Sequence, residues 1–169
     1  MSNNENLIKI FEYALNQEKT GMTFFETSIQ RMGVGEAVSA FKTLIEEEKR
    51  HIAFITQILE DLKGKGEVDL SKLREIALEP TDYFDDRAKK EFLEQCLYES
   101  MVPDVAVFNT AWLIEKDLSE FYEKMAEKAE GEAKMALLML ARWEKSHEKF
   151  FKEYREQLTE AYSKMAWGG

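Results

Sequence analysis

Hydrophobic residues recur with a helical period along most of the chain. Leu7, Ile10, Phe11, Ala14, Phe25 and Ile29 form one stripe between Glu5 and about Arg31, a spacing that predicts an amphipathic helix. Phe41, Leu44, Ile45, Ile52, Ile55 and Leu59 form a second, in a helix expected from about Glu36 to Leu62. Val105, Phe108, Ala111, Trp112, Leu118, Tyr122 and Met125 form a third. It opens near Pro103, where a missing N–H is harmless in the first helical turn. Leu137, Leu140, Ala141, Phe151 and Leu158 mark a fourth helix, extending to about Met165. Met32 to Gly35 and Glu130 to Glu132 read as tight turns, and Lys63 to Gly66 closes the second helix.

The stretch between the second and third helices differs in character. Leu70 to Leu78 and Asp86 to Ser100 read as two shorter helices, parted by Pro80, which disfavours helix at the residue before it. Leu70, Leu73, Ile76, Phe84, Phe92 and Leu97 need a surface to cover. The stretch is therefore a crossover rather than a linker between domains. Short turns within each helix pair and a long connection between pairs predict an all-α four-helix bundle with a helical crossover between the second and third helices, with residues 1–169 as one domain.

Acids interrupt these stripes at regular places. Glu18 lies between Ala14 and Met22, Glu48 and His51 share the second stripe, Glu115 sits in the third, and Glu144 and His147 share the fourth. A buried carboxylate costs several kcal/mol or more unless something compensates it. Side chains at i and i+3 on one helix face can grip one metal ion together. Glu18 and Glu48 are each about 15 residues from Gly33, so an antiparallel hairpin rising ~1.5 Å per residue sets both at one height. Glu115 and Glu144 are likewise placed about their own turn. The halves match: Phe11, Ala14, Glu18 and Phe25 align without a gap with Phe108, Ala111, Glu115 and Tyr122, and Glu48 and His51 align with Glu144 and His147. Such a repeat is hard to obtain by chance.

Four carboxylates and two imidazoles at one height can hold two divalent ions, leaving the filled site roughly neutral. Metal-free, the acids would repel one another and take up protons. Flexible carboxylates suit two-electron chemistry with dioxygen or hydrogen peroxide at a pair of iron ions, although this donor set also accepts manganese or zinc. The formal charge of −10 excludes a general nucleic-acid or anionic-membrane binder. Cys96, the single cysteine, excludes a disulfide framework and a four-thiolate metal site, and it reads as a small buried hydrophobe. No apolar run approaches the ~20 residues of a membrane span. Met1 to Gln17 lacks the apolar core of a signal peptide, so a cytoplasmic location is expected.

Ala14 to Glu18, Glu46 to His51, Glu115 to Tyr122 and Trp143 to His147 give the chain its resemblance to the ferritin-like di-iron carboxylate superfamily, most closely its rubrerythrin group. The resemblance implies a di-iron centre held by Glu18, Glu48, His51, Glu115, Glu144 and His147. It also implies a tyrosine near the iron, here Tyr122, able to hydrogen-bond a ligand or quench a radical. The activity implied is reduction of hydrogen peroxide or dioxygen. The alternatives are iron handling, by ferroxidase or storage chemistry, and non-enzymatic metal binding. Full-length rubrerythrins carry a rubredoxin-like domain with four cysteines; with Cys96 alone, this chain is expected to take electrons from an external donor such as a rubredoxin-like protein. The expected assembly is a homodimer, in contrast to the cage that storage requires. Peroxidase-type members carry an extra glutamate one turn after the third-helix ligand. Here that position is Leu118, expected to face the metals without ligating, as in bacterioferritin-like sites.

The neighbouring residues have blander readings. Glu46, Glu47 and Glu148 are expected to be solvated, and Trp112 and Trp143 to be packing residues. Glu26 and Glu123 suit either the surface or a position behind the ligands. For Tyr122 the competing expectation is a core ring whose hydroxyl reaches the surface.

Overall fold

In the computed structural model, which describes residues 3–32, 36–76 and 105–165, the four stripes fold as four long helices. These are α1 (Asn3–Met32), α2 (Glu36–Gly64), α4 (Val105–Lys128) and α5 (Gly131–Met165). The short α3 (Leu70–Ile76) follows α2. The expected second crossover helix, Cys96, Pro103, the 33–35 turn and the 166–169 tail lie outside the described residues. No described residue is in a strand.

Local chemistry sets the helix ends. Lys65 and Gly66 donate backbone hydrogen bonds of 2.8 and 3.1 Å to the Asp61 carbonyl, and Gly66 adopts φ 79°, the left-handed conformation that glycine takes without strain. The buried Asp61 carboxylate accepts from Gln57 Nε2 at 3.0 Å and from the Asp69 amide at 3.4 Å. Asp69 in turn caps α3, accepting from the Ser71 amide at 3.0 Å. Asn4 Nδ2 donates to the Leu62 carbonyl at 3.2 Å, tying the start of α1 to the end of α2.

Helix α1 packs on α2 and α4 on α5; α1 also meets α4, and α3 lies against α2. Each apolar stripe is buried in two lengths rather than one. Toward one end, Phe25, Phe41, Phe108 and Phe151, one from each long helix, form an aromatic box. Its ring centroids are 5.6–6.3 Å apart, the separation at which aromatic pairs attract. Toward the other end, Phe11, Phe54, Leu62, Tyr122 and Leu137 pack together, with Leu70 and Leu73 of α3 among them. The polar residues of the stripes lie between these two cores.

Candidate metal centre

The six expected residues converge. Glu18, Glu48, Glu115, Glu144 and His147 are at most 1 % exposed and His51 is 5 % exposed. They fall into two sets, each with one ligand atom per residue and all such atoms within 4.8 Å of one another. One set is Glu18, Glu48, His51 and Glu144; the other is Glu48, Glu115, Glu144 and His147. Glu48 and Glu144 belong to both. Each hairpin thus supplies its own Glu–His pair, and the two central glutamates stand between the pairs. That is the geometry of two adjacent cations sharing two carboxylates.

Both imidazoles turn Nδ1 inward. His51 Nδ1 lies 2.7 Å from Glu144 Oε1, 3.6 Å from Glu48 Oε2 and 3.9 Å from Glu18 Oε2. His147 Nδ1 lies 3.4 Å from Glu48 Oε1 and 3.8 Å from both Glu115 Oε1 and Glu144 Oε2. These contacts are close but poorly aligned. No hydrogen bond reaches Glu18 Oε2, Glu48 Oε1, His51 Nδ1 or either carboxylate oxygen of Glu115 and Glu144. Buried polar atoms without hydrogen bonds cost about 1–3 kcal/mol each, more when charged. A cation held by each set would give these atoms partners, and the oxygen–nitrogen donor set fits divalent iron, manganese or zinc.

Electrostatics divide the acids into two kinds. Burial, then the charges of Glu144 and Glu48, push Glu18 and Glu115 well above the usual carboxylate range. Burial and Glu144 also push Glu48 upward, but the close approach of Glu18, His51 and His147 prevails and holds it near about 2. Glu144 is likewise raised by burial and lowered further by His51, Glu115 and His147, ending well below the usual range. The imidazoles are driven upward: burial opposes this, and the surrounding carboxylates outweigh it. The acids and imidazoles of the cluster therefore titrate together rather than one by one. Metal-free, the cluster holds protons that a metal must displace.

Four further residues complete the surroundings. Tyr122 is fully buried, and its hydroxyl donates a 2.6 Å hydrogen bond to Glu18 Oε1; the expectation of a hydroxyl at the surface is overturned, because the tyrosine on α4 points across the bundle at α1. Glu47, expected to be solvated, is 6 % exposed and its Oε2 lies 2.5 Å from His147 Nε2. It follows Leu44 by three residues and precedes His51 by four, so a buried stripe wide enough for both Glu47 and Glu48 would have revealed it. Trp143 does pack, with its ring 5.1 Å from His51 and nearly parallel to it at 11°. Leu118 is buried among Phe11, Ala14 and Tyr122 and also lines a groove of about 260 Å³ between α1 and α4, with Gln17, Gly21 and Ile114.

The remaining neighbours are peripheral. Glu46 and Glu26 are exposed and Glu148 is half-buried. Glu123 pairs with Lys145 at 3.2 Å on the surface. Trp112 lies under the Arg155 guanidinium, 4.0 Å from the ring centroid.

No described helix is long and apolar enough to cross a membrane. No curated protein and no solved structure gives a significant match to the chain. A family model described as Rubrerythrin matches residues 5–155.

Proposed function

This chain belongs to the rubrerythrin family, and from that premise we propose that it is a di-iron oxidoreductase reducing hydrogen peroxide or dioxygen with electrons from an external donor protein. The observation that carries the reading is the pair of four-residue sets sharing Glu48 and Glu144. In it, Glu18 and His51 would hold one ion, Glu115 and His147 the other, and the two shared glutamates would join them. Bound iron would supply the electron transfer. The chain's own residues supply the rest. Burial excludes bulk water, and Tyr122 fixes the orientation of Glu18. Leu118, one turn beyond Glu115, lines the groove between α1 and α4. The single cysteine cannot build a four-thiolate electron-transfer site within these residues.

Buried Leu118 favours a second reading, iron oxidation for storage or detoxification, because leucine offers no extra carboxylate where peroxidase-type members carry one. Anaerobic loading with Fe²⁺ and metal counting, then rapid mixing with hydrogen peroxide and separately with dioxygen, tests the first reading. Oxidation that is no faster than that of free iron would reject it. A hollow multimeric shell in solution would favour storage, and a small oligomer would disfavour it.

A further inference from the structure

The two halves of the centre are alike in their ligands and unlike in what stands behind them. Glu47 and Trp143 occupy equivalent places in the repeat, each immediately before a shared glutamate. The two hairpins face each other, so each residue meets the histidine of the opposite hairpin. Glu47 meets the outer nitrogen of His147. Trp143 meets the face of His51, with Phe54 edge-on to the indole at 5.1 Å. An indole face offers no lone pair to a ring N–H, whereas a carboxylate accepts that hydrogen bond strongly. The second mismatch is Tyr122 against Phe25. Tyr122 donates to Glu18, and its repeat partner Phe25, inside the aromatic box, has no hydroxyl to give to Glu115.

We propose that Glu47 makes the two metal positions unequal, so that the position built on Glu115 and His147 is the tighter of the two and fills first. This rests on the di-metal reading above and adds an order to it. A carboxylate on Nε2 fixes the tautomer that leaves the Nδ1 lone pair facing inward, and it makes the imidazole a stronger donor to a cation. Glu47 acts through His147 and is a positioning residue. On the other side, the Tyr122 hydrogen bond draws electron density from Glu18 and weakens it as a donor. Both mismatches act in the same direction. Each is a difference between aligned residues, so the identical ligand sets cannot cancel them.

The test is an anaerobic titration of metal-free full-length protein with Co²⁺, followed by calorimetry and visible absorption. Wild-type protein should bind two ions in separate steps. Glu47→Gln is nearly isosteric and should weaken the first step by about 10–100-fold, the usual effect of removing a partner behind a metal-bound histidine. The second step should be left nearly unchanged. Glu47→Asp, which keeps the charge, should recover part of the loss and serves as the second variant if Glu47→Gln folds poorly. The effect must also depend on the right histidine: Glu47→Gln should weaken the ion retained by His51→Gln and leave the ion retained by His147→Gln unaffected. Two ions binding with equal affinity, or two steps unmoved by Glu47→Gln, would overturn the order while leaving the di-metal reading intact. Fewer than two ions at saturation would overturn both.

Discussion

Tyr122 on α4 and Glu18 on α1 are joined by a 2.6 Å hydrogen bond that crosses from one hairpin to the other inside the bundle. The two residues are 104 positions apart in sequence, so the bond forms only when the halves dock. Tyr122→Phe keeps the ring packing and removes the donor. Metal-free protein should lose about 1–3 kcal/mol, the usual cost of stranding a buried polar group. Metal-loaded protein should lose less, because a cation gives Glu18 another partner. Denaturant unfolding of both forms measures the difference; equal losses would show that no cation reaches Glu18.

The shared and outer acids should differ when removed. Glu48→Ala or Glu144→Ala takes a ligand from both sets at once, and the paired binding should be lost. Glu18→Ala or Glu115→Ala takes a ligand from one set and should leave about one ion per chain. Metal analysis after reconstitution and desalting distinguishes the patterns. Four variants with the same stoichiometry would contradict the sharing.

Metal-free and loaded protein should respond oppositely to pH. His51 and His147 have folded-state values raised above 6.5, and Glu18 and Glu115 above 4.5. Their stabilising contribution is complete below those unfolded values and is lost as pH rises through the folded ones. Glu48 and Glu144 are lowered, so their contribution is present above 4.5 and fades as pH falls toward about 2 and below. Metal-free protein should therefore melt at progressively lower temperature as pH climbs above about 6.5. Metal affinity rises over the same range, by about tenfold per pH unit for each proton released. The gap between the two melting temperatures should widen from pH 6 to pH 8. A constant gap would mean that metal displaces no protons.

Leu118→Glu would introduce a carboxylate one turn beyond Glu115. In metal-free protein it buries another acid beside Phe11 and Tyr122 and should destabilise the fold by roughly a few kcal/mol. Loading with metal should shrink that loss, and the preference for hydrogen peroxide over dioxygen should rise. An equal penalty with and without metal would place residue 118 out of reach of the ions.

The sequence made the four long helices and the six converging residues legible for one reason. A carboxylate or imidazole on an otherwise apolar stripe is an anomaly that a 3.6-residue period exposes, and the anomaly occurred twice in register. Glu47 is hidden from periodicity because the buried face of α2 is one residue wider than its apolar stripe. The partner of Tyr122 escaped for a different reason. Periodicity fixes which face of a helix is buried, whereas the residue met on the facing helix depends on how the two hairpins are rotated together. The same limit applied to Trp143, whose packing role was readable while its contact with His51 was not.

The two apolar cores on either side of the centre each draw on all four long helices. The bundle is therefore fastened above and below its polar middle, independently of what occupies that middle. Protons would balance the charge of the cluster when metal is absent, and cations when it is present, between the same two cores. An ion entering a receptacle held in this way would have little chain left to order. Metal supply in the surroundings, more than the folding equilibrium, would then decide what fraction of these molecules carries a filled centre.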